Sequence, residues 1–169
     1  MKKIIFAQFL MLLFVLAEAQ EKAPHEVHAS FINNFMKYVQ WPNDGEGGEF
    51  IIGVLGDDDL FNTLKSWHEG KMKGSKKLVV KKLTGISEAS SCSLVYLAKS
   101  KSKEFEAMKG LIAGKPVLTI TDGNNLGQKG SCFNFKEVDG KLKFELNQGA
   151  INAASLKVSS SLASIAILI

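Results

Sequence analysis

Cysteine, proline and histidine are all scarce, with two, three and three residues among 169. So few histidines and cysteines indicate no three-ligand zinc set. No proline- or serine-rich linker and no internal repeat divides the chain. Catalytic signatures are missing too: there is no Gly-x-Ser-x-Gly elbow and no His-Glu-x-x-His. Gly110 to Lys115 misses the phosphate-loop spacing by one residue and precedes an expected strand instead of following one. Gly123 to Gly130 is glycine-rich but opens no helix, so the dinucleotide fingerprint fails. No acid–base pair is implied by the histidines. These gaps favour a binding or regulatory domain over an enzyme, with no cofactor and no metal expected. The net charge of +4 is too modest to imply a nucleic-acid partner.

What is present begins with Met1-Lys2-Lys3, an apolar run from Ile4 to Leu16, and Ala17-Glu18-Ala19. A basic start, a short apolar core and small residues before a cut describe a secretory signal peptide over residues 1–19. The run is shorter than the roughly 20 residues a membrane span needs. Cleavage after Ala19 leaves residues 20–169, a single domain by length, with no cysteine at the cut to carry a lipid anchor. The formal charge then falls to +3, because Lys2, Lys3 and Glu18 leave (4 − 2 + 1). The leader implies export, with no membrane-spanning segment after cleavage.

The central unit is the run 116–122, a β-branched apolar strand entering at Pro116 and leaving at Asp122-Gly123. Phe105, Met108 and Ile112 predict a helix before it, and Gly114 its stop. The polar loop after such a strand lies where open α/β sheets keep their ligand sites. Residues 24–40 carry Val27, Phe31, Phe35 and Tyr38 on one stripe and Ile32, Met36 and Val39 on a parallel one, predicting an amphipathic helix that ends at Trp41-Pro42. Strands are expected at 50–55, 93–97, 132–135 and 142–146, with a helix from Leu60 to about His68. Asp139-Gly140 predicts a hairpin turn. A last helix is expected from Asn152, with Leu156, Leu162, Ile165 and Ala166 turned inward. The fold class is α/β: a compact sandwich with a mainly parallel sheet, an antiparallel edge hairpin and helices on both faces.

Several residues admit two readings. His25 and His28 lie three apart, but without a third ligand they read as solvated residues of a first helical turn. Asp57, Asp58 and Asp59 read as a helix cap with acidic neighbours, and less well as a cation site. Lys71, Lys73, Lys76, Lys77, Lys81 and Lys82 surround Leu78-Val79-Val80, the loading that protects an edge strand; an anionic partner is the other reading. Cys92 and Cys132 are either a disulfide, worth roughly 3–4 kcal/mol on the chain-entropy model, or two buried thiols. Tyr38 and Trp41 form one candidate contact surface for a partner, although Trp41 also reads as core. The apolar end, Ile167, Leu168 and Ile169, forms the other.

The order of features resembles the YfiR/HmsC-like family. The resemblance rests on the leader, on Asn34-Phe35-Met36-Lys37-Tyr38-Val39-Gln40-Trp41-Pro42, and on Ile52-Gly53-Val54-Leu55-Gly56. It also rests on Val117 to Asp122, Phe144-Glu145-Leu146-Asn147 and Leu156-Lys157-Val158-Ser159-Ser160. It implies a non-enzymatic periplasmic repressor that binds the periplasmic sensor domain of an inner-membrane signalling protein, a diguanylate cyclase in the best-studied members. Release of that grip raises cyclic di-GMP and promotes biofilm. The family fold is a compact α/β domain, often a homodimer, with disulfides that make some members redox-sensitive; two cysteines here permit one bridge at best. No catalytic residue carries over. The rival reading is a periplasmic small-ligand-binding or carrier protein using a cleft near Asp57–Asp59 and Asp122–Gly130.

Overall fold

The computed structural model describes residues 22–169. The expected leader, residues 1–19, lies outside the described residues. In chain order the elements are α1 (Pro24–Tyr38), β1 (Val39–Gln40), β2 (Gly48–Leu55), α2 (Asp58–His68), β3 (Met72–Lys73), β4 (Lys76–Lys82) and β5 (Leu94–Leu97). They continue with α3 (Phe105–Leu111), β6 (Leu118–Thr121), β7 (Phe133–Val138), β8 (Lys141–Leu146), α4 (Gln148–Ala153), β9 (Lys157–Val158), α5 (Ser160–Ala163) and β10 (Ile167–Leu168). Short 3-10 turns at Ile86–Ser91 and Lys99–Glu104 precede β5 and α3.

Eight strands make one sheet in the order β10-β8-β7-β6-β5-β2-β4-β3. The five from β4 to β7 are parallel; β8 turns antiparallel to β7, and β10 runs parallel to β8. From β2 the chain passes through α2 to β4 on one side, then returns to β5 on the other. Such a reversal of strand order opens a crevice at the carboxyl ends of the strands. β6, the strand picked out by its β-branched run, is central and buried along its whole length. The antiparallel hairpin turns at Asp139 (φ 53°) and Gly140 (φ 68°), both left-handed, as an Asp-Gly turn that matches the strand twist requires.

Side chains alternate across the sheet and feed two cores. On β5, Leu94 and Tyr96 join the face covered by α1 and α2, while Val95 and Leu97 join the face covered by α3. The larger core is aromatic. Phe35 of α1 stacks on Phe133 at 4.1 Å between ring centroids and meets Phe144 edge-on at 5.0 Å.

Two expectations, the single C-terminal helix and the disulfide, are corrected, and Trp41 takes the core side of its two readings. The segment from Asn152 onward is not one helix: it is split into α4, β9, α5 and β10. Ser155 adopts φ 57° and ends α4's run, and Ser159 caps α5 by accepting from the Leu162 N–H. β9 pairs antiparallel with β1, which also stops α1 at Tyr38. Leu156 and Leu162 are buried as expected, but Ile165 is 68 % exposed. Trp41 is 8 % exposed, donates its indole N–H to the Ser93 carbonyl at 3.0 Å and meets Phe50 edge-on. Cys92 and Cys132 are both free, buried thiols. Cys92 packs in the α3-side core and Cys132 in the α1-side core. They lead into β5 and β7, two strand spacings or about 9.6 Å apart, beyond the roughly 7 Å that a bridge spans. Burial pushes both thiols up from their ordinary pKa, away from reactive thiolate.

Candidate functional site

A cleft opens at the carboxyl edge of the parallel strands because neighbouring strands have unequal lengths. The last residue of β7 paired to β6 is Asn134, opposite Thr121. β7 then runs on to Val138 with β8 alone beside it. The notch above β6 is an open cleft of ≈ 820 Å³. Its walls are the first turn of α1, Lys99 after β5, the Asp122–Asn125 loop after β6, and the β7–β8 hairpin.

The floor is a built polar network. Thr121 Oγ1 donates to Asn134 Oδ1 at 2.7 Å, and the Gly123 N–H donates to the same oxygen at 3.4 Å. Asn134 Nδ2 donates to Glu145 Oε2 at 2.9 Å. Lys136 Nζ donates to Glu145 Oε1 at 3.0 Å. Asn134 and Glu145 are cross-strand partners, so the pairing register itself brings them together. The Glu145 side chain is 5 % exposed and that of Lys136 50 % exposed, so the pair links a buried carboxylate to solvent. A buried charge of this kind needs such partners.

The loop after β6 folds back over this network at Gly127. A Cβ there would lie 2.6 Å from Glu145 Oε2 and 2.8 Å from Ile169 Cδ1. Gly127→Ala is therefore expected to lower stability by about 1–3 kcal/mol, the usual cost of overpacking, and thermal unfolding measures it. A loss-free alanine would show that the loop lifts away at no cost.

His28 closes the cleft on the α1 side. It stacks on Phe135 at 4.4 Å and sits 3.5 Å through Nδ1 from the Tyr96 hydroxyl. Burial lowers its pKa; Asp122 and Asp57 pull it back up, and His25 pushes it down further. Burial, with Asp122 and Asp57, raises the Tyr96 phenol well above its ordinary range. The reading of two solvated histidines is thus corrected: His28 is buried beneath the first turn, while His25 is half-buried. Its position four residues before Ile32 and eight before Met36 was the signal, because that is the second apolar stripe of α1.

His68 is the other buried imidazole. Its Nε2 has no hydrogen-bond partner among the described residues, and burial, then Lys71, lowers its pKa from the ordinary 6.5. In both histidines the unfolded chain binds protons more readily than the folded one. Their contribution is present above the unfolded value and lost as pH falls through the folded one. The melting temperature is therefore expected to drop as pH falls from about 7.5 to 5.5, the range spanning the free imidazole pKa. His68→Leu should flatten that decline, and a pH series of melts on both proteins checks it.

The remaining sequence candidates separate. Asp57 caps α2 by accepting from the Leu60 N–H at 2.9 Å, and Asp58 forms an exposed pair with Lys82 at 2.8 Å. None of Asp57, Asp58 and Asp59 lines the cleft, whereas Asp122, Gly123, Asn124 and Asn125 do. Tyr38 is half-buried against the core. Ile167 is half-buried in β10, and Leu168 and Ile169 are 63 % and 42 % exposed. The lysine-loaded segment does form one end of the sheet, as β4 with β3 at its edge. Asn134 and Glu145 were missed. The available signal was a carboxylate inside the apolar run Phe144-Glu145-Leu146, but nothing local indicates what covers it.

Among the described residues no helix is long and apolar enough to cross a membrane. No curated protein matches the chain. In fold it is similar to the crystal structure of a conserved domain protein from Vibrio cholerae, with a TM-score of 0.56 at 13 % identity. That likeness covers 88 % of this chain and 60 % of the other, so the chain spans less than two thirds of its neighbour. The model of the YfiR/HmsC-like family matches residues 25–167, from the first turn of α1 to β10. That match takes in all but the first residue of α1 and the last of β10, and the chain belongs to the YfiR/HmsC-like family.

Proposed function

We propose that this chain is an exported, non-enzymatic regulator that binds the periplasmic domain of an inner-membrane signalling protein, a diguanylate cyclase, and represses it. The family match over residues 25–167 carries the reading. The exposed apolar end, Ile165, Leu168 and Ile169, supports it as a surface suited to a protein partner. The mechanism is differential binding: gripping one conformation of a sensor shifts its population without chemistry. A coupling of about 1–3 kcal/mol changes the sensor's balance roughly 5- to 150-fold.

The test is deletion of the gene together with capture from solubilised membranes. Cyclic di-GMP should rise in the deletion strain, and tagged protein should retain a cyclase bearing a periplasmic domain. Unchanged cyclic di-GMP with no cyclase retained rejects the proposal. The cleft supports a second reading, a periplasmic ligand carrier. A ligand-induced melting shift with no membrane partner favours that alternative.

A further inference from the structure

The cleft floor shows what kind of group it holds. Glu145 is nearly inaccessible, yet its Oε1 is satisfied by the tip of a half-exposed lysine arriving from the solvent side. Lys136 thereby places a primary ammonium on a buried carboxylate inside an open cleft. A second carboxylate, Asp122, lines the same space. Around the rim stand Lys22 and Lys99, neither in an ion pair among the described residues. The backbone N–H groups of Asn124 and Asn125, also lining the cleft, have no hydrogen-bond partner among the described residues. Glu137 stands with these lysines at the exposed rim, so a rim of mixed charge surrounds an acidic floor.

We propose that the cleft is a binding site for a small molecule carrying a primary ammonium group, which displaces Lys136 from Glu145. A ligand carboxylate, where present, meets Lys99 and the amides of Asn124 and Asn125. The inference rests on the cleft alone, so it stands or falls separately from the membrane partner. Its occupant is a zwitterion or a polyamine, and the two share the ammonium chemistry.

Three probes of similar length distinguish the cases: 6-aminohexanoate, cadaverine and hexanoate. Amide shifts of the whole mature chain are followed by NMR up to about 10 mM, a range that reports millimolar affinities. 6-Aminohexanoate or cadaverine should move the Asn124, Asn125 and Glu145 resonances, and hexanoate should not. Tighter 6-aminohexanoate assigns a zwitterion; tighter cadaverine assigns a polyamine; both uphold the site. Glu145→Gln, which keeps its bond to the Asn134 amide, should abolish binding. Lys136→Met removes the resident competitor and should tighten binding by roughly fivefold, the upper worth of an ion pair whose lysine is half in solvent. Lys136→Met leaves the buried Glu145 carboxylate with the Asn134 amide as its one hydrogen-bond partner among the described residues, so the comparison of the three probes on the unmodified chain decides where neither variant folds. Hexanoate binding as tightly as 6-aminohexanoate, no probe moving these resonances, or no gain in Lys136→Met would overturn the proposal.

Discussion

Phe35→Ala is expected to lower the unfolding free energy by about 3–5 kcal/mol, the range for removing a fully buried aromatic ring. Phe35 has no exposed surface and sits where α1 meets the sheet. It stacks on Phe133 with planes 5° apart and meets the edge of Phe144, so one ring joins the helix to both strands of the hairpin. Aromatic pairs in these geometries add about 0.5–1.5 kcal/mol beyond their area. The hydrogen-bonded strands below cannot close the cavity, because their register is held by the β7–β8 ladder. A typical domain has about 5–15 kcal/mol in total, so one substitution removes a third or more. Urea melts should show a lower midpoint at unchanged slope. A loss below about 1 kcal/mol would mean that the site collapses around the missing ring.

Asn134→Ala is expected to cost about 3 kcal/mol or more, for a different reason. The side chain fills little volume, but it is the hub of the cleft floor. Its oxygen accepts from Thr121 and from the Gly123 N–H, and its amide donates to Glu145. Truncation deprives all three groups of a partner, and each buried group left unpaired costs about 1–3 kcal/mol. Thr121 keeps a weaker bond to the Phe133 carbonyl at 3.4 Å, which softens one of the three. Thr121→Val removes the bond to Asn134 together with the weaker one to the Phe133 carbonyl and should cost about 1 kcal/mol. The double variant should be less damaging than the sum, since both changes act on one network. Asn134→Asp is a sharper control. It keeps the shape and places a second carboxylate against Glu145, so it should destabilise above the carboxyl pKa range and recover in acid. Additive behaviour of Thr121 and Asn134 would show that they do not act as a unit.

These two variants probe different depths of legibility. The stripe containing Phe35 is visible at helical spacing, and burial of one face follows directly from it. The cleft residues are another matter. Asn134 and Glu145 are eleven positions apart on two strands, and only the hairpin register sets them opposite each other. Once Asp139-Gly140 fixes a two-residue turn, that register follows. The covering loop at Gly127 does not follow from any local signal, nor does Lys99 arriving from β5. Trp41 shows the same limit: a large aromatic beside a proline fits a docking surface or a core, and the Ser93 carbonyl beneath its indole decides for the core.

The sequence by itself determined the order of the helices and main strands up to β8, without the two-residue strands β1 and β3, along with the central strand, the hairpin turn and the cap at Asp57. These depend on neighbours a few residues away, through side-chain periodicity, turn dihedrals and capping bonds. Only the tertiary structure decided the rest. The segment after Asn152 has apolar residues that suit a helix, yet strands β1 and β8 offered it open backbone edges, so it became β9 and β10. Cys92 and Cys132 were kept apart because the chain places β6 between them. The cleft exists because β7 outruns β6, a difference in length that has meaning only once the two strands lie side by side.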